Sequence, residues 1–416
     1  MSKEEKRAPE VRFEGFNDDW KQRKLGEHAI IKGRLGWKSL KQEEYLPNGP
    51  NLIAGKHISK GIIDWKQVDH IPEWRYEESP EIMLQKGDVI FSKDGSLGNP
   101  ALITNFPGKS TINSTMMLVR TDNTIDSVFF YQVLQSSQFQ RLIYLKVSGS
   151  SVPHLFQADM NNFSFFAPTI YEQKKVGVLF SKLDTAITLH QRKLEQLREF
   201  KRAALQYLFP KKDEAEPKVR FANFSSSWKQ RKLGELGKLT SGIGFPNSEQ
   251  GGNHGVPFFK ISDMNNNGNE QEMITANNYV AHEQVYRNNW QPINEVPAII
   301  FAKVGAAISL NRKRLVRYPF LIDNNTMAYS FDDNWSIEFG KAIFETIYLP
   351  KYAQIGALPS YNNSDIASVT IHIPDNKEQI HIGHLFNQIE HAIACHQKKL
   401  EKLQTLKKAF LQKMFI

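Results

Sequence analysis

The stretch "VRFEGFNDDWKQRKLGE", Val11–Glu27, returns as "VRFANFSSSWKQRKLGE", Val219–Glu235. Twelve of the seventeen positions are identical, and Trp20–Glu27 matches Trp228–Glu235 without a break. The copies lie 208 residues apart (219 − 11 = 208) in a chain of 416, half its length. One unit has been duplicated in tandem, and the problem becomes what the copies share and what they do not.

They also share an end. "EQKKVGVLFSKLDTAITLHQRKLEQLREFKRAALQYLF" (Glu172–Phe209) aligns with "EQIHIGHLFNQIEHAIACHQKKLEKLQTLKKAFLQKMF" (Glu378–Phe415), with eighteen of 38 positions identical. Apolar residues recur in steps of four and three through Val176, Phe180, Leu183 and Ile187, then Leu194 and Leu197. The second copy repeats this with Ile382, Phe386, Ile389 and Ile393, then Leu400 and Leu403. The pattern predicts a long helix with the narrow seam of a coiled coil, about 57 Å long for 38 residues. Each seam is interrupted at matching slots, by His190 and Lys201 and by His396 and Lys407. With no other seam in the chain, the two helices are expected to pack antiparallel, His190 and His396 acting as register-setting polar positions. Glu172 and Glu378 belong in the first helical turn, where a carboxylate suits the macrodipole.

The middles differ. "GDVIFSKDG" (Gly87–Gly95), "TMMLVR" (Thr115–Arg120), "PAIIFAKVG" (Pro297–Gly305) and "TMAYSF" (Thr326–Phe331) are strands between turn signals. Ser127–Leu145 and Ser336–Ile355 follow helical spacing, the latter interrupted at Pro350. The expected organisation is α+β: a mixed α/β globule over 1–168, a spacer helix over 169–210, a second globule over 211–375 and a second helix over 376–416. "FPKKDEAEPK" (Phe209–Lys218) is the linker between the copies.

Composition sets limits. Lys and Arg number 53 against 44 acidic residues, a net charge of +9 and a pI near 9.2, a balance that suits nucleic acid. No run of about 18 apolar residues exists, so no membrane span is expected. The charged start "MSKEEKRAPE" is unlike a secretory signal, and Cys395 is the single cysteine, so a reducing cytoplasm is the expected location.

Enzyme signatures fail one by one. "FPGKST" (Phe106–Thr111) has the tail of a phosphate loop, but Ile103 stands where its first glycine is required. Asp159 and Glu172 with Lys174 mimic a nuclease triad, yet the second copy keeps Asp365 and Glu378 and has Ile380 in place of the lysine. The spacing therefore belongs to the repeat. His381, His384, His391, Cys395 and His396 do not reproduce a zinc pattern. An amino-methyltransferase needs an Asn/Asp-Pro-Pro-aromatic loop, and the chain has no Pro-Pro pair. No catalytic residue, metal or cofactor is expected.

A chain of this length, with "F…WKQRKLGE" opening and "EQ…HQ.KLE.L…K.A.LQ" closing each half, resembles the DNA-specificity subunits of Type I restriction–modification systems. The resemblance implies two target recognition domains, separated by two long helices that dock two methyltransferase subunits. It further implies double-stranded DNA as ligand, translocase-nuclease subunits reached through the complex, and no catalysis by this chain. On that resemblance, two different globules on a spacer are expected to read two half-sites about one helical turn, roughly 34 Å, apart. Two other classes remain: a self-sufficient DNA-modifying enzyme, and a coiled-coil scaffold with no DNA role.

Candidate DNA contacts come from two sources. Aligning "FSKDG" with "FAKVG" and "INSTM" with "DNNTM" pairs Lys93 with Lys303, Asn113 with Asn324 and Thr115 with Thr326. Lysine suits phosphate; asparagine suits adenine or a turn. Base reading belongs where the copies differ: Arg34, Trp37 and Lys38 within "KGRLGWKS" (Lys32–Ser39), then Lys56, His57 and Lys60. In the second copy the candidates are Arg312, Lys313 and Arg314 of "NRKRLVR", with Asn253, His254 and Lys260. Trp20 and Trp228 are packing or partner-docking residues.

Overall fold

A computed structural model describes residues 7–34, 40–105, 107–148, 153–211, 214–354, 356 and 358–416. The repeated opening forms a short strand in each copy, Lys21–Lys24 and Lys229–Lys232. Each pairs antiparallel with the strand that leads into a long helix, Lys21 opposite Ala167 and Lys229 opposite Ile373. The start and end of each copy are thus one piece of structure, which is why both ends match in sequence.

The middles turn out to share a topology that their sequences hide. In the first, a four-stranded antiparallel sheet runs Ala29–Gly33, Met116–Thr121, Val89–Ser92, Gly98–Leu102. In the second the order is Gly237–Ser241, Thr326–Phe331, Ala298–Ala302, Lys313–Val316. Each sheet is apolar on both faces. Val89, Phe91, Met117 and Val119 face one cluster while Ile90, Met116 and Leu118 face another; Ile299 and Phe301 alternate with Ala298 and Ile300 in the same way. A smaller sheet then places Leu46–Ile53 parallel to Ser110–Ile112, and Val256–Phe259 parallel to Leu321–Ile322. The strand Ser110–Ile112 absorbs the end of "FPGKST", whose Thr111 hydroxyl donates to the Ile82 carbonyl.

Two helical readings are refined. Ser127–Leu145 is two helices, Ser127–Val133 and Ser137–Ser148, broken where the Ser136 hydroxyl donates to the Val133 carbonyl. In the second copy the helix Ile337–Thr346 ends before Pro350, which opens the short turn Leu349–Tyr352.

The long helices run Ile170–Tyr207 and Asn376–Lys413. By contact the chain forms two compact units: Met1–Gln191 with Lys398–Ile416, and Arg192–Gln397. Each unit therefore holds the first half of its own helix and the end of the other. Within the first unit the helices are antiparallel: Phe180 meets Phe410 and Phe415, and the later residue Asp184 meets the earlier residue Lys407. Within the second, Lys201 meets Glu390 and Phe209 meets Phe386. Phe180, Leu183, Leu194, Phe386, Ile389 and Leu400 are buried along the seam. Ile187, His190, Leu197, Ile393, His396 and Leu403 are half-buried there.

The lysine interruptions have a physical reason. The Lys201 ammonium leaves the seam to bridge Glu390 on the neighbouring helix and Glu345 on the globule, 2.7 Å from each. The Lys407 ammonium repeats this with Asp184 at 2.6 Å and Gln135 at 2.7 Å. Each fixes helix against helix and both against the globule.

The repeated residues form a matching lock. The Arg12 guanidinium donates two hydrogen bonds, 2.7 and 2.8 Å, to Glu172, and the Arg220 guanidinium donates two, 2.9 and 2.7 Å, to Glu378. Beside them the Gln173 amide donates to the carbonyls of Thr124 and Pro168, as Gln379 does to Asn334 and Pro374. Trp20 packs edge-on against Phe129 and Phe415, and Trp228 against Phe339 and Phe209. The tryptophans are packing residues, and Phe209, read as the start of the linker, is buried with one of them.

Candidate nucleic-acid interface

At one end of each four-stranded sheet, three loops and a strand end converge. In the first unit they are the end of Ala29–Gly33, the segment after Ser92, the turn before Met116 and the segment around His154. The Lys93 backbone N–H donates to the Thr115 carbonyl, and the Lys93 carbonyl accepts from Leu155, both at 2.9 Å. A Cβ on Gly33 would lie 3.6 Å from the Lys93 side chain. In the second unit the Lys303 N–H donates to the Asn325 carbonyl at 2.7 Å, and its carbonyl accepts from Tyr361 at 3.0 Å. Lys93 and Lys303 are therefore structural equivalents, both half-buried; the Lys93 ammonium lies 2.7 Å from Asp94.

The pairing of the turns shifts by one residue. Thr115 and Asn325 occupy the same slot, 210 positions apart (325 − 115 = 210), as do Lys93 and Lys303 (303 − 93 = 210). Asn113 is thus equivalent to Asp323, and both N–H groups donate to a strand carbonyl, of Ile53 and Phe259. The Asn113 side-chain oxygen accepts from the Thr115 N–H and hydroxyl, 3.1 and 2.8 Å, closing a turn. Asp323 accepts from the buried Thr326 hydroxyl at 2.6 Å. Asn324 is left exposed. The letter match of Asn and Thr in both copies came from two differently spaced turns doing one job.

The remaining candidates divide. Arg34 is buried at the end of Ala29–Gly33, its Nε donating to the Ile112 carbonyl at 3.3 Å; among the described residues both terminal guanidinium nitrogens find no hydrogen-bond partner. Burial holds its pKa below the ordinary guanidinium value. Trp37 and Lys38 lie outside the described residues. Lys56 is exposed and 2.9 Å from Asp69. Lys60, with a left-handed backbone, borders a hollow of about 330 Å³ with Asp184 and Lys407, away from the convergent loops. The buried His57 is a cap: its Nδ1 accepts from the Ala54 N–H at 3.0 Å, as Asp263 accepts from the Lys260 N–H at 3.0 Å. The Lys260 ammonium donates to Gln250 at 2.6 Å. Asn253 and His254 are exposed and bond to each other.

The basic run on the edge strand Lys313–Val316 is largely committed internally. The Lys313 ammonium donates to the Ile347 carbonyl at 2.7 Å and to Asn311 Oδ1 at 3.0 Å, stabilising the end of Ile337–Thr346. Burial pushes its pKa down to about 8. Arg314 donates to the carbonyls of Asn269 and Lys313 at 2.6 and 2.9 Å, and Arg312 donates to Asn265. Their density in sequence reflects a strand whose basic side chains satisfy carbonyls of the segments packed beside it, those of Ile347 and Asn269 among them.

The fold and site define a tandem protein: two α+β modules of one topology, each completed by an antiparallel helix pair, with different loops gathered at the sheet end. The description "Type I restriction modification DNA specificity domain" matches residues 17–199 and 225–405, and the chain belongs to that family, carrying two copies of the domain. The Type I restriction enzyme MjaVIII specificity subunit of Methanocaldococcus jannaschii is 23% identical over 204 residues, 46% of this chain and 45% of that subunit. This chain thus spans less than half of that relative. A chain named as the MjaX specificity subunit from the same organism is 22% identical over 419 residues, 95% of this chain and 92% of the relative. The S subunit of a Type I restriction–modification system from M. genitalium has the same fold, with a TM-score of 0.66 and 16% identity, covering 98% of this chain and 99% of that one.

Proposed function

We propose that this specificity subunit is a non-catalytic DNA reader, each unit recognising one half of an asymmetric, gapped duplex target. The observation that carries the reading is the contrast between frame and loops. Locks, caps and sheet order repeat, while the side chains at the convergent end of each sheet, the recurring lysine apart, do not. Lys93 and Lys303 supply phosphate contacts at equivalent places, Arg34 and Asn324 lie with them, and the excess of basic residues favours the phosphate backbone. Joining two readers in one chain makes the second half-site contact intramolecular, so two modest readers give one selective binder.

The helices dock two copies of a methyltransferase subunit, through which translocase-nuclease subunits join. Supporting this, each unit carries a shallow hollow on its long helix at equivalent slots: Val178 and Lys182 in one, His384 and Gln388 in the other. Val178 and Leu189 are more than half exposed there, as is Ile380. Duplicated surfaces recruit identical partners. Among the described residues no helix is long and apolar enough to cross a membrane, and the complex acts in the cytoplasm.

The test is to express this chain with the methyltransferase subunit of its own locus in an unmethylated host and map methylated bases. A gapped asymmetric motif that disappears without this chain supports the reading. Methylation by this chain alone would instead make it an enzyme, and no new methylation with both proteins soluble would leave it a scaffold.

A further inference from the structure

One segment holds the same backbone frame in both units but opposite side-chain chemistry. Leu155 and Tyr361 are buried, and their N–H groups donate to the carbonyls of Lys93 and Lys303. The next N–H, of Phe156 or Asn362, donates to the side chain of Asp159 at 2.9 Å or Asp365 at 2.7 Å. The residue after that reaches back by its amide, Gln157 to the Ile31 carbonyl at 2.8 Å and Asn363 to the Leu239 carbonyl at 3.3 Å. The preceding residue closes a bridge in each unit, Asp94 with His154 and Val304 with Ser360. Three hydrogen bonds and a bridge therefore fix this segment identically, beside the recurring lysine, at the end of the sheet.

The positions on either side of the buried anchor carry what differs. In the first unit His154 donates from Nδ1 to Asp94, and the exposed Phe156 ring packs against the imidazole at 4.3 Å. A carboxylate only accepts, so Nδ1 carries the hydrogen, and the Asp94 contact fixes the ring with Nε2 as its remaining polar edge. In the second unit the same places hold Ser360 and the exposed Asn362.

We propose that positions 154 and 156 in the first unit, and 360 and 362 in the second, set the base preference of the two half-sites. The assignment rests on the half-site reading above and names the residues that carry it. The His154 ring, held by Asp94, offers its Nε2 to one base edge in the major groove, and Phe156 gives apolar contact to a thymine methyl. Asn362 offers the paired donor and acceptor that match adenine. A rigid frame with exchanged side chains is what allows one fold to read different bases, since readout requires fixed placement.

The test is selection of random duplexes by the assembled complex with its methyltransferase subunits, comparing wild type with Phe156→Asn and Asn362→Ala. Both residues are exposed, so assembly and thermal unfolding should stay unchanged. Asn362→Ala should change preference at one position of one half-site by about 5- to 150-fold, leaving the other half-site and the gap intact. Phe156→Asn should do the same in the opposite half. If either variant fails to assemble, the other still decides. Wild-type half-sites retained by both variants, or by the one that assembles, overturn the assignment alone. A wild-type complex that selects no pair of half-sites overturns the half-site reading and the assignment together.

Discussion

Arg12→Ala should loosen the first unit by about 3 kcal/mol and spare the second. Glu172 is 1% exposed and holds both oxygens against the Arg12 guanidinium at 2.7 and 2.8 Å. Removing one member of a buried pair strands the other charge, a cost of roughly 3–5 kcal/mol. The first turn of the helix gives back up to about 1 kcal/mol through its dipole. The net is about 3 kcal/mol, roughly a 100-fold change in an opening equilibrium. Hydrogen exchange followed by mass spectrometry reads each unit separately, which a single melting curve does not. The slowest amides of residues 172–180 should exchange roughly 100-fold faster in Arg12→Ala, and those of residues 378–386 should do so in Arg220→Ala. Replacing both Arg12 and Glu172 by leucine should return most of the loss, because a well-packed apolar pair is close to neutral. A change below about threefold in Arg12→Ala, under roughly 1 kcal/mol, would refute the lock, as would equal loosening of both units.

Three further outcomes follow from the same contacts. Lys201→Met should destabilise the second unit by about 1–3 kcal/mol because it leaves Glu345 without its cation, while Glu390 keeps Lys341 at 2.5 Å; Lys407→Met, with one partly exposed acid, should cost about 1–2 kcal/mol in the first, both read by exchange. Burial holds the His57 imidazole below its ordinary value, ahead of the opposing pull of Asp69. The stability this gives is fully present above about pH 6.5 and lost as pH falls toward the lower folded value; His57→Asp, which imitates the Asp263 cap, should abolish that slope in exchange at Ala54–Ile58. Arg314→Ala should destabilise the second unit by about 1–3 kcal/mol through its lost bonds to Asn269 and Lys313 and leave the methylated motif unchanged; a relaxed half-site would instead restore Arg314 as a base contact.

The architecture was legible because its signals are local and repeated. The four-three spacing marked both helices to within a few residues, and the duplicated openings and closings marked the copies. What the sequence hid was why both ends recur: Arg12 and Glu172 are separated by 160 positions, and nothing in either neighbourhood announces the other. The seam lysines looked like interruptions because their partners, Glu345 and Gln135, lie on the globules. The site was harder still. Matching Asn113 to Asn324 by letter missed a one-residue shift that only the hydrogen bonds of Lys93 and Lys303 reveal. Basic density pointed to Arg312–Arg314, where the charges largely satisfy carbonyls of their own unit. His154, Phe156 and Asn362 carried no composition signal at all. Asp159 and Asp365 were the available clue: their matched spacing belongs to a cap that holds the variable residues in place.

The most direct measurement of two-unit reading is to remove the recurring lysine from one unit at a time and sequence the selected DNA. The complex would carry Lys303→Ala or Lys93→Ala beside wild type, selected from random duplexes at fixed salt. Two short half-sites at constant spacing are predicted for wild type, each lysine variant weakening contact around one half-site while the other half-site and the spacing persist. A single contiguous motif, or both half-sites weakened equally by either variant, would contradict the claim that each unit reads its own half.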